Sequence, residues 1–279
     1  MASPADLNAE DVTRYLRGIK IPSRPQLLEE IDRELKRDNP DMALLGRLIQ
    51  KDVSLSAAVL KTINSPFYGL QKKVGSVAVA VQMLGLRNLR CLVTGLVLKQ
   101  AVAGEAASLE RFWDSSEKVA SISAYLSTVL PRIPRDEAYT FGLFREIGIP
   151  LMMQRFPDYR DTLKRAAGLD IPMTVVEDEV HATNHAVIGY MVSRAWGLPE
   201  AMSEALLLHH DPAVVTSGEG ISSTARTLVM LNYLAEHLND AVLRARVDTQ
   251  WERVGDAVIG YFGLSAFEME EITHEVEQF

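Results

Sequence analysis

Apolar residues return every third or fourth position along most of this chain, and no stretch alternates apolar with polar residues long enough to make a half-buried strand. That periodicity restricts the fold to packed helices. Leu27, Ile31 and Leu35 form one stripe; Leu44, Leu45, Leu48 and Ile49 form the next. Leu55, Val59 and Ile63 follow, then Val77, Val81 and Leu84. The β-branched run Val74 to Val81 is the nearest thing to a strand. Helix punctuation falls between the stripes. Asn39, Ser54, Ser76, Asp136 and Asn184 can each cap a helix, and Pro40 suits a first turn. Thr174 with Glu177, and Ser265 with Glu268, have capping-box spacing. Gly85 can end a helix, and Pro131 stops one running from Leu109 to Leu130. Thr224 to Leu238 reads as helix, and Ala213 to Gly220 reads as loop. The expected fold is all-α, with a dozen or so helices.

The composition agrees with a soluble globular chain: 279 residues, 47% hydrophobic and 24% charged. A net charge of -8 argues against a general grip on nucleic acid, which needs a basic field to displace counterions. The single Cys91 excludes an internal disulfide framework and a cysteine-rich zinc site, and its apolar surroundings suit an inert core thiol. Residues Met1 to Glu10 lack a basic stretch followed by an apolar run, so no signal peptide is expected. No apolar run approaches the roughly 18 residues of a membrane span. These features together set the expectation of a cytoplasmic protein that contacts no membrane. The small, mixed residues Ala101 to Ala107 are the best candidate joint, dividing a helical subdomain at 1–103 from a second at 104–279.

One stretch breaks the simple pattern. Gly142-Leu143-Phe144-Arg145-Glu146-Ile147-Gly148 wedges a basic and an acidic residue into an apolar run on helical spacing. Neighbouring helical residues point about 100° apart, so Arg145 and Glu146 cannot both face water if Phe144 and Ile147 face the core. Either the two charges form the edge of an amphipathic helix, or at least one of them lies at a packed interior and does chemistry there.

Further segments carry a resemblance. They are Ile21-Pro22, Lys51-Asp52, Asn64-Ser65-Pro66-Phe67-Tyr68-Gly69, Ala80-Val81-Gln82-Met83-Leu84-Gly85 and Phe112-Trp113. The Gly142 to Gly148 stretch follows, then Asn184-His185, Trp196-Gly197-Leu198-Pro199 and His209-His210-Asp211-Pro212. In order and spacing, from about Ile21 to Pro212, these resemble the HDOD family, bacterial signalling relatives of the HD-domain and HD-GYP metal-dependent phosphohydrolases. The tail from Ala213 matches only loosely. The resemblance implies an HD-domain-like multi-helix bundle with an N-terminal helical subdomain, and a regulatory role.

An HD hydrolase holds a divalent metal on two His and two Asp. The resemblance places those ligands at Ser115, Arg145, Glu146 and Asn232. Ser115 and Asn232 are weak neutral ligands, and the guanidinium of Arg145 offers no lone pair. The expectation is therefore a degenerate site, with Arg145 as the local positive charge, paired with Glu146, Asp114 or Glu117, or alternatively gripping a phosphate. His185, His209 and His210 match positions that hold a second metal in the HD-GYP relatives. They could hold a residual divalent transition metal, or cap helix ends as structural residues. His181 stands one turn before His185 if the helix continues.

The loop residues Phe67, Tyr68, Lys72 and Lys73 are either interhelix filler or a partner-binding surface. Met83, Met152, Met153, Met191 and Met202 read as core. No phosphate-binding glycine loop, nucleophile elbow or HExxH motif is present. The functional expectation is a non-catalytic signal-transduction module without a cofactor, acting through protein partners in a bacterial signalling pathway. The alternatives are a residual metal-dependent phosphohydrolase or phosphodiesterase using His185, His209, His210 and Glu146, and a sensor of a nucleotide second messenger.

Overall fold

The fold is given by a computed structural model that describes residues 15–64, 68, 70–102, 109–130, 132–169, 171–243 and 249–278. Most of the expected joint at Ala101 to Ala107, the loop residue Phe67 and the side chain of Cys91 lie outside that set. No strand occurs among the described residues, and no helix there is long and apolar enough to cross a membrane.

Helices α1 (Gln26–Leu35), α2 (Met42–Gln50) and α3 (Val53–Ile63) lay their stripes on α4 (Val77–Val102). Ile31, Leu45, Leu48, Ile49, Leu55, Val59 and Ile63 are buried as expected, but Leu28 takes the core place expected of Leu27, and Leu27, Leu35 and Leu44 are only partly buried. The caps are not. Asp41, not Asn39, accepts from the amides of Ala43 and Leu44, and Asp52, not Ser54, accepts from Leu55. In both cases an Asp directly abuts the first apolar turn, where its oxygen reaches the free amides and its charge meets the positive end of the helix dipole. Asn64 satisfies turn backbone as expected, bonding the Leu60 carbonyl and both backbone groups of Val74. Gly85, at φ 72°, divides α4 into two helical segments. Met83 is half exposed rather than core, since it sits on the outer side of the first of these.

Helices α5 (Glu110–Val129) and α6 (Arg135–Phe144) form the most extensive helix pair, and α6 also meets α4. Pro134, not Asp136, holds the N-cap position of α6. The pair approaches closely at Gly142, where a Cβ would stand 2.8 Å from the Cα of Ala120. Helices α7 (Gly148–Arg155), α8 (Tyr159–Ala167), α9 (Met173–His181), α10 (His185–Ala195) and α11 (Glu200–Leu208) follow. The expected loop at Ala213 to Gly220 instead begins in α12 (Pro212–Thr216), capped by Asp211. Helix α13 (Ser223–Leu238) is buried along most of its length against α5, α6 and α11. Helices α14 (Thr249–Phe262) and α15 (Ala266–Val276) close the chain, the latter with the expected Ser265–Glu268 capping box.

One contiguous apolar cluster runs from Ile19 to Val276, so the N-terminal helices and the later ones share a core. A polar tie reinforces that contact. The indole of Trp196, almost wholly buried after α10, donates to the Pro22 carbonyl at 2.9 Å.

Candidate metal centre

The Gly142 to Gly148 stretch is not one helix. Helix α6 ends at Phe144, residues 145–147 form a turn, and α7 starts at Gly148. The break resolves the problem of two adjacent charges, because the turn sends them in different directions. Glu146 faces three imidazoles. Arg145 turns toward α13, buried to 6% exposure, where its Nε donates to Glu236 and its Nη1 donates to the Gly142 carbonyl at 2.8 Å. The expected partners Glu146, Asp114 and Glu117 are thus replaced by Glu236. Asp114 and Glu117 pair with lysines on the α5 side instead. Asn232 lies buried one turn before Glu236 on α13, and Ser115 is half buried on α5.

Glycine makes the Glu146 face possible. A Cβ on Gly148 would come within 2.8 Å of the His185 carbonyl carbon and Cα, and closer still to the carbonyl oxygen. Only a residue without a side chain lets α7 begin against the first turn of α10. That approach brings Glu146 to His185, the first residue of α10, held in place by Asn184 capping through the Val187 amide. His209 and His210 arrive from the C-terminal end of α11. His185 Nε2 lies 3.0 Å from Glu146 Oε2; His210 Nε2 and His209 Nε2 lie 3.7 Å and 3.9 Å from Oε1. One ligand atom from each of the four residues lies within 4.8 Å of every other. The fold therefore brings together the Glu and three His of the metal alternative. His181 is not among them: Ala182 turns left-handed and ends α9, and the His181 ring bonds Thr162 instead.

The remote ring nitrogens of His185 and His209 are engaged. His209 Nδ1 donates to the Leu206 carbonyl at 2.8 Å. His185 Nδ1 donates to Glu177 Oε2 at 2.6 Å. A carbonyl or a carboxylate can only accept, so both Nδ1 atoms carry hydrogen and Nε2 is left to face the cluster. Glu177, fully buried on α9, also accepts from the His185 backbone amide at 3.2 Å and from the Tyr159 hydroxyl. The spacing of Thr174 and Glu177 reads as a capping box, yet the N-cap is Pro172, two residues too early for it. That leaves Glu177 inside the helix and free to turn inward. The early proline was the available signal.

Burial opposes charge on His185, but the carboxylates of Glu177 and Glu146 outweigh it and raise its pKa to about 10. Burial, helped by His210, pushes His209 down to about 4. Burial works against the Glu146 carboxylate too, but His185 and then His209 and His210 hold its pKa well below the ordinary range. Chelator-treated protein is therefore expected to be less stable on both sides of neutrality. His185 unfolds to a pKa near 6.5, so its contribution is complete below that value and is lost as pH rises toward 10. His209 contributes fully above 6.5 and loses its share as pH falls toward 4. Thermal melts from pH 4 to pH 10 check this; a flat profile would contradict it.

Elsewhere, Tyr68 is half buried under the Arg135 guanidinium, while Lys72 and Lys73 are exposed. Met152, Met191 and Met202 are core residues, and Met153 packs at the core's edge.

Comparison with known proteins places this geometry in context. A family model described as "HDOD domain" matches residues 21–212. A candidate phosphohydrolase of Shewanella amazonensis SB2B has the same fold, with a TM-score of 0.69 and 23% identity over 92% of this chain and 90% of its own. A candidate signal transduction protein of Marinobacter aquaeolei VT8 also gives 0.69, at 22% identity over 95% of this chain and 58% of that one. A curated but uncharacterized protein of Treponema pallidum (strain Nichols) is 24% identical over 254 residues, 88% of this chain. The match spans about half, 47%, of that relative's length.

Proposed function

Because the chain belongs to the HDOD domain family, we propose that it is a signalling module that acts through protein contacts, and that it retains one half of a hydrolase-like metal site without the other. The missing half is the Arg145 side. The family resemblance puts a metal-binding His at this position, and a permanent cation there repels a divalent ion in a region of reduced dielectric. The likeness to a candidate signal transduction protein supports the same role. The guanidinium of Arg145 is buried and engaged by Glu236, which does not favour its use as a phosphate grip.

The retained half is Glu146, His185, His209 and His210. The observation that carries it is a set of orphaned atoms. His185 Nε2, His209 Nε2, His210 Nε2 and Glu146 Oε2 are all buried and turned toward one another, and beyond the contacts inside this cluster none has a hydrogen-bond partner among the described residues. Four such atoms in one place are costly unless something satisfies them together. Three imidazoles and a carboxylate are the donor set that zinc, nickel or iron prefers. Bonds of about 2.0 Å put tetrahedral ligands roughly 3.3 Å apart, close to the Glu146 distances. A bound ion would supply Lewis acidity and tie the turn between α6 and α7 to α10 and α11.

The test is metal analysis of protein purified without a His-tag, combined with an assay on a generic phosphodiester. The expected result is one equivalent of a divalent transition metal, no turnover, and a lower melting temperature after chelation. At a free metal concentration a hundredfold above Kd, that stabilisation is about 2.7 kcal/mol. The donor set also favours a second reading, a metal-dependent phosphohydrolase. Turnover that disappears in H185A and H209A would establish that reading over the first. Wild-type protein devoid of metal would remove the retained-site reading.

A further inference from the structure

We infer that Glu177 and Tyr159 are positioning residues for His185, locking its ring so that Nε2 can only point into the four-residue cluster. This rests on the metal reading above and extends it to residues that make no contact with the ion.

Glu177 is 0% exposed, and its carboxylate serves three donors. Oε2 accepts from His185 Nδ1 at 2.6 Å and from the His185 backbone amide at 3.2 Å. Oε1 accepts from the hydroxyl of Tyr159, which is itself fully buried on α8. One carboxylate thus joins α8, α9 and α10 at a single point. It grips His185 twice, once through the main chain and once through the ring, so the residue can neither rotate about its side-chain bonds nor exchange tautomers freely. Tyr159 holds the second oxygen and stops the carboxylate from swinging away.

A stability device would not need this arrangement. A buried carboxylate is expensive to desolvate, and an apolar residue of similar volume would hold the three helices together at less cost. The arrangement makes sense for a ligand. A carboxylate on the remote nitrogen fixes the ring's orientation and raises the basicity of the nitrogen that binds, and its loss typically weakens metal binding about 10–100-fold. His209 is oriented by a neutral carbonyl instead, so Glu177 makes His185 a stronger imidazole donor than His209.

The experiment compares wild type, E177Q and Y159F by zinc titration against a competing chelator and by the visible spectrum of the cobalt-loaded protein. Imidazole nitrogen NMR of the metal-free protein is recorded alongside. E177Q is expected to bind zinc about 10–100-fold more weakly and to move the Nδ1 proton signal of His185 upfield, because a neutral amide oxygen is a weaker acceptor than a carboxylate. Y159F is expected to weaken binding several-fold and to keep that signal. Unchanged zinc affinity and an unchanged cobalt spectrum in both variants, with wild type binding metal, would overturn this inference alone. A wild type that binds neither metal would overturn the underlying reading and this one with it. Should E177Q not fold, Y159F decides: its affinity moves, or the relay has no bearing on the ligand.

Discussion

Arg145→Met is expected to lower the stability of the metal-free protein by about 3 kcal/mol, measured by chemical denaturation. The loss comes less from the missing contact than from the charge left behind. Glu236 faces a buried guanidinium at 2.5 Å, and its side chain is 22% exposed. Without Arg145 it must either stay ionised with little water around it or take up a proton, and both are unfavourable. Its partial exposure places the effect at the lower end of the roughly 3–5 kcal/mol typical of a broken buried pair. The double variant R145M/E236L removes both charges and is expected to recover most of the loss. A single variant as stable as wild type would show that the pair does not hold α6 to α13. Because Arg145 faces away from the imidazoles, zinc binding should survive in the fraction that folds.

Gly148→Ala is expected to be at least as damaging, at about 3 kcal/mol or more, and to abolish metal binding as well. The added methyl would meet the backbone of His185, not the flexible end of a side chain. Relief requires α7 to move away from α10 by at least about 1 Å, the gap between this contact and an ordinary carbon–oxygen distance. That movement carries Glu146 away from His185 Nε2. At Gly75, where a Cβ would meet nothing within 4 Å, the same substitution is expected to stay within about 0.5 kcal/mol. Matching melts for G148A and wild type would mean that α7 and α10 are not held as closely as described.

Several features were readable before any tertiary contact was known, and they share a physical character. The stripes Leu55, Val59, Ile63 and Val77, Val81, Leu84 are local: a helix repeats every 3.6 residues, so the spacing of apolar side chains reports which face will be buried. The Asn184 cap and the Ser265 capping box are likewise decided within four residues. The four candidate ligands could be named because imidazoles and carboxylates are the donor types a metal uses, and the resemblance aligned them. Misreadings were local competitions with two plausible answers. Asp41 displaced Asn39 as a cap, and Pro172 moved the start of α9 so that Glu177 could not close a capping box.

What the amino-acid sequence determined by itself was the helical class, most helix positions, the family and the chemical types available for a site. Tertiary structure alone decided that Arg145 and Glu146 part company at a turn, that Glu236, 91 residues away, answers the guanidinium, and that Glu177 and Tyr159 stand behind His185. The reason is geometric. Local spacing sets the face on which a side chain emerges, but which distant group meets it depends on how closely two helices approach, and here that distance is set by the bare backbone of Gly142 and Gly148.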